Sequence, residues 1–188
     1  MEPTTLRLPG GAGVWIFILG DTSVFAVLFA VFAVERRRAP AAYEAGRLLL
    51  DPTIGLINAL VLLTSSLLVV LAVRSTGRRG YWFRTELLSL ALLCGVGFVV
   101  VTALEWSRLL LAGVRPGASG FFGYYFTVTG IHLLHVLVGI AVLFRMMLLT
   151  RMPTLRARHL VLLEGGAACW HLVGLVWVML FPLFYLVR

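Results

Sequence analysis

The chain has 188 residues, 61% of them hydrophobic and 13% charged, with a mean hydropathy of +1.00. That leaves too little polar surface to cover a water-soluble domain of this size, so lipid is the expected solvent. The net charge is +8 and all 16 basic residues are arginines, but they lie between apolar runs, where they read as topology signals at a membrane surface and exclude a nucleic-acid partner.

Five apolar runs reach the roughly 20 residues that cross a hydrocarbon core about 30 Å thick. In lipid the backbone must satisfy its own hydrogen bonds, so each run is predicted to be a helix. The first covers residues 14–34, with Trp15 and Phe17 at its start and Gly20-Asp21 interrupting it early. It ends in Glu35-Arg36-Arg37-Arg38 without a small-residue cleavage site, and is read as a retained span. Residues 35–51 form a polar, Arg-rich loop with a short surface helix expected around residues 41–50. The second span covers 53–73 and carries Asn58 and Thr64-Ser65-Ser66.

The third span covers 85–111, with Gly95-x-Gly97 in its middle and Glu105-Trp106 toward its end. A Gly- and Pro-containing turn, 112–119, leads to the fourth span, 120–149. Thirty residues at about 1.5 Å each make a helix about 45 Å long, so this span must tilt or project from the bilayer. The fifth span covers 159–187, opening with Glu164-Gly165-Gly166-Ala167-Ala168 and Trp170-His171, and running past Pro182 into aromatics. The fold class is therefore all-α, a single membrane domain over residues 1–188 with five spans.

Orientation follows from arginines. With the N-terminus inside, the inner side holds nine: Arg7, Arg74, Arg78, Arg79, Arg84, Arg145, Arg151, Arg156 and Arg158. The outer side holds seven: Arg36, Arg37, Arg38, Arg47, Arg108, Arg115 and Arg188. The excess favours a cytoplasmic N-terminus.

The candidate functional residues are the polar groups at membrane depth. His132 and His135 are three apart in an apolar run, about 60° from each other on one helical face. His171 falls at a similar depth, and Glu164 lies two turns before it, about 10 Å along the axis. Asp21 sits early in span one and Glu105 late in span three. Ionisable groups at such depths are costly and should face protein or water. Three readings follow: interhelical hydrogen bonds that fix spans four and five, a proton or ion path through Asp21, Glu105 and Glu164, or a metal or haem site. The last is disfavoured by the absence of a Glu-x-x-His motif and by two histidines sharing one face. Cys94 and Cys169 have no Cys-x-x-Cys partner and read as small buried side chains. No nucleophile–base pair stands out, so no active site is expected in this chain.

The stretch Phe126–Gly139, FTVTGIHLLHVLVG, resembles the T-G-x-H-x-x-H-V-x-x-G signature of subunit III of haem–copper oxidases. Ala167-Ala168-Cys169-Trp170-His171-Leu172-Val173, with Val176-Trp177 after it, resembles the family's final helix, and Glu164 matches a glutamate just before it. Ala103-x-Glu105-Trp106 resembles an A-x-E-Y stretch, and Asn58 with Ser65-Ser66 resembles N-T-x-x-L-x-S-S. Gly20-Asp21 falls where the family usually has Ser-Glu. Gly174 replaces the family aspartate, Leu134 a glycine and Cys169 a tyrosine. Five spans match the short form of the subunit, and Gly20-Asp21 with Phe181-Pro182 looks most like the variant associated with nitric oxide reductase.

The resemblance implies a non-catalytic subunit of a respiratory complex in a bacterial inner membrane. Such a subunit carries no haem or copper of its own. It packs beside the catalytic haem–copper subunit, holds phospholipid in a V-shaped cleft, and supports proton uptake and turnover stability. The cleft is expected between helices 1–2 and helices 3–5.

Overall fold

The computed structural model describes residues 11–75, 80–152 and 157–186. Arg7, Arg78, Arg79, Arg156 and Arg188, five of the arginines used for orientation, lie outside them. The described residues are helical almost throughout: α1 (Ala12–Arg38), α2 (Pro40–Arg47), α3 (Pro52–Arg74), α4 (Tyr81–Leu111), α5 (Gly120–Thr150) and α6 (Ala157–Phe181), closed by a π-helical turn (Pro182–Leu186). All but α2 are long and apolar enough to cross a membrane. The protein is an all-α bundle of five membrane-spanning helices, as the apolar runs require.

The helix ends have local causes. α1 finishes on Arg36-Arg37-Arg38, cations that complement a helix C-terminus. Pro40 then stops the chain from continuing as one helix and opens α2 at its first turn. Asp51 caps α3 through its side chain, which accepts from the Thr53 N–H at 2.9 Å, with Pro52 just inside. α4 ends in a Schellman motif: Gly113 takes φ of +83°, its N–H donates to the Leu110 carbonyl, and the Val114 N–H reaches the Leu109 carbonyl. Ser119 caps α5. Pro182 removes a backbone donor, and the chain there widens into the π-helical turn.

Four helices form the tight part of the molecule. α3 packs along α4 and α6, and α5 packs along α4 and α6, so the four close a ring around one apolar core. α1 lies outside this ring against α5 and α6 and buries only Phe25 and Phe32. The second span therefore belongs with spans three to five, not with span one as expected. The reason is chemical: α3 carries Gly55, Asn58 and Ser65 along one buried face, which gives its neighbours both close approach and hydrogen bonds, whereas α1 buries only Phe25 and Phe32 and has Asp21 as a polar tie to the ring. The open groove is consequently walled by α1 on one side and by α5 and α6 on the other, around a cavity of ≈ 300 Å³.

Trp170 shows how small residues shape the ring. Its indole lies between Gly139 of α5 and Gly95 of α4, where a Cβ atom would come within 2.7 and 2.9 Å of the ring. Only glycine leaves room for that side chain at both positions.

Candidate functional site

The polar side chains inside the ring are stacked along successive turns of the same four helices. At one end Glu105, 5% exposed, accepts through Oε2 from the Tyr185 hydroxyl at 2.8 Å and the Tyr125 hydroxyl at 3.0 Å. The two phenols are 3.3 Å apart. One turn inward Asn58 Nδ2 donates to Thr102 Oγ1 at 3.3 Å. Beyond it His132, 1% exposed, stacks on Trp177 with ring centroids 5.3 Å apart and meets the edge of Phe98 at 5.5 Å. Trp177 Nε1 donates to the Gly55 carbonyl at 3.2 Å. Further along, Trp170 Nε1 donates to Ser65 Oγ at 3.1 Å, and Ser65 donates to the Ala91 carbonyl at 2.8 Å. This small relay ties α6, α3 and α4 together.

His132, His135 and His171 do not form one set. The 60° between positions 132 and 135 is enough to send them to different neighbours. His132 points into the ring, and neither of its ring nitrogens has a protein hydrogen-bond partner. His135 points out toward α1, where Nε2 lies 2.9 Å from Asp21 Oδ1 and the ring meets Phe25 edge-on. His135 Nδ1 donates to the Ile131 carbonyl at 2.7 Å. His171 turns to α3, with Nδ1 2.5 Å from Ser66 Oγ.

The expected clamp of spans four and five by His132, His135, His171 and Glu164 is thus replaced by separate ties: α5 to α1, and α6 to α3. Glu164 is exposed near the start of α6 and faces none of the three imidazoles. Gly174, where the resemblance leads one to expect an aspartate, faces Ser66 and the Leu62 carbonyl, with 3.9 Å of room around a Cβ. Cys94 and Cys169 are unlinked and half-buried. Among the described residues no three His, Cys, Asp or Glu side chains converge on one point.

Two cavities touch these groups. The groove between α1 and α5/α6 is lined by Asp21, His135 and Cys169 among apolar side chains such as Phe17, Val138 and Leu172. A smaller cavity of ≈ 150 Å³ at the end of α4 is lined by Asp51, Glu105, Arg108 and the apolar Ile54 and Leu109. Glu105 stands out in the sequence as a carboxyl within a span, but its partners do not. Tyr125 and Tyr185 were visible only as aromatics within apolar runs, and no spacing rule joins residues 60 apart.

The chain matches the model of the family described as cytochrome c oxidase subunit III over residues 7–187. It is 30% identical over 183 residues to the "Heme-copper oxidase subunit I+III" of Aeropyrum pernix, covering 94% of this chain and 22% of that much longer protein. It is 28% identical to the "Cytochrome bo(3) ubiquinol oxidase subunit 3" of Pseudomonas aeruginosa, covering 93% of this chain and 83% of that one. It is also 28% identical to the "Cytochrome c oxidase subunit 3" of Bacillus subtilis, covering 93% of this chain and 84% of that protein. With the family's match running through all five spans and the histidine stretch, the chain is a multi-pass membrane protein that belongs to the cytochrome c oxidase subunit III family.

Proposed function

We propose that this protein is the non-catalytic third subunit of a respiratory haem–copper complex, holding the catalytic subunit in its active form and supporting its proton uptake. The observation that carries the reading is the family match over nearly the whole chain. The interior agrees with a supporting role, because its hydroxyls, indoles and amide mostly tie its own helices together. An oxidase is the first choice of complex, since the relatives named above are oxidase subunits. A nitric oxide reductase is the second, favoured by Gly20-Asp21 and by the Phe181-Pro182 ending.

On this reading the groove beside α1 takes a phospholipid, whose acyl chains suit its apolar lining. The protein sits in a bacterial inner membrane with its N-terminus in the cytoplasm. Asp21 and His135 in that groove also favour one competing reading, a membrane protein that moves protons or ions alone. Purification of the tagged chain from its own membranes in mild detergent separates the two. Recovery with a stoichiometric haem-bearing subunit supports the proposal. Recovery alone, with proton flux when reconstituted in liposomes, overturns it.

A further inference from the structure

We propose that Glu105 is a hydrated proton-exchange site, with water as the ligand of the cavity that reaches it from the end of α4. This deepens the proton-uptake part of the proposed function by naming a residue and a route, and it is tested on the isolated chain.

Three observations converge. Glu105 is 95% buried, yet it lines a cavity of ≈ 150 Å³ that also touches Asp51, Arg108 and Ala112 at the helix end. That volume is about ten times the ~10–15 Å³ that one water requires. Asp51 and Arg108 supply polar anchors for water along its wall. Finally, the two carboxyl oxygens of Glu105 differ. Oε2 accepts from both Tyr125 and Tyr185, while Oε1 is buried without a protein partner. A buried acceptor left unmade is costly; Oε1 is closed off from the cavity in this structure, so a water reaches it only when the side chains between them shift, and its hydrogen bond then removes that cost.

The asymmetry decides where the proton goes. With Oε2 occupied by two phenol donors, a proton delivered by a hydronium forms an O–H bond on Oε1 and leaves a neutral water behind. The reverse transfer regenerates the hydronium. Neither step disturbs the phenol bonds. The charged and titratable groups around the site come from every element packed on it. They are Asp51 before α3, Arg108 on α4, Tyr125 on α5 and Tyr185 in the terminal turn, whose carbonyl accepts from Arg47 of α2 at 3.3 Å, with Glu44 paired to that arginine.

The test is infrared difference spectroscopy on the full chain in lipid nanodiscs, comparing wild type with Glu105→Gln. The expected result is a carboxyl band that titrates reversibly, is absent in Glu105→Gln, and shifts promptly on transfer to D2O. Tyr125→Phe keeps the carboxyl but frees one bond on Oε2, so it should shift the band without removing it. Ala112→Trp narrows the cavity mouth and should slow the D2O shift several-fold. No Glu105-specific change over the pH range in which the bundle stays folded would overturn the proposal. So would a band that stays unshifted in D2O, or an exchange rate unmoved by Ala112→Trp. A silent Glu105 in a chain that still co-purifies with a haem-bearing subunit would remove this site and leave the proposed function standing.

Discussion

Gly139→Ala tests the packing of the ring, because its sign depends on one contact. Within a helix, alanine is intrinsically better than glycine by about 1 kcal/mol. If position 139 had free space, the substitution would stabilise the bundle by up to that amount. In the structure the new Cβ lies 2.7 Å from both Cε3 and Cζ3 of Trp170, a rigid ring held on its other side by Gly95. The indole cannot swing away without losing its bond to Ser65 Oγ. Overpacking of this kind costs about 1–3 kcal/mol, and interhelical hydrogen bonds in membranes contribute about 0.6 kcal/mol on average. The net expectation is destabilisation by about 0.5–2.5 kcal/mol after the propensity gain. The assay is reversible unfolding in mixed micelles of rising SDS fraction, read by helical circular dichroism. Trp170→Phe supplies the control. A smaller ring at 170 accepts the extra methyl, so the double variant should be more stable than the two single effects added, by about 0.5–3 kcal/mol of coupling. A Gly139→Ala protein as stable as wild type or more so, or two effects that simply add, would refute the clamp.

Three further outcomes follow from particular side chains. His132 lies between aromatic rings with no protein hydrogen bond, so His132→Phe should cost little, whereas His132→Ala should lose about 2–5 kcal/mol in the same assay; a Gln substitution that outperforms Phe would mean that the ring nitrogens are engaged. Ser65→Ala leaves the Trp170 N–H without an acceptor and should destabilise by about 1–3 kcal/mol, while Thr64→Ala, which removes only a bond to its own helix, should be near neutral. Tyr43 in α2 is buried with an unpaired hydroxyl, and burial raises its pKa above the ordinary 10.0. The unfolded chain then loses this proton first, so Tyr43 contributes a loss of stability as pH rises through 10.0 toward its folded value. Tyr43→Phe should reduce that alkaline loss, and an unchanged alkaline limb in pH-dependent unfolding would contradict it.

Much of the architecture was legible from elementary signals. Apolar runs of spanning length became helices because lipid offers no alternative. Pro40, Pro52 and Gly113 fall at the boundaries for backbone reasons alone. The glycines of spans three to five marked close approach before any partner was known. What the sequence did not carry was the identity of each neighbour. The angle between His132 and His135 follows from helical periodicity, but that one would meet Trp177 and the other Asp21 depends on where α1 and α6 pack. The place of α3 in the tight ring was missed because Ser65 and Ser66 look alike in sequence. In the fold one accepts from Trp170 and the other meets His171. The Glu105 cluster was half visible. A carboxyl at depth announces a partner, but Tyr185 reaches it from the π-helical turn Pro182–Leu186, which no spacing in the sequence marks.

The most direct test of the central claim is the turnover of the catalytic complex with and without this chain. The complex is purified intact, stripped of the chain, and measured again before and after adding it back. On the present account the stripped complex starts at close to the intact rate but loses activity in fewer turnovers, and the added chain restores its lifetime. An initial rate abolished at once by removal would place chemistry in this chain. A lifetime unchanged by removal would deny it the supporting role.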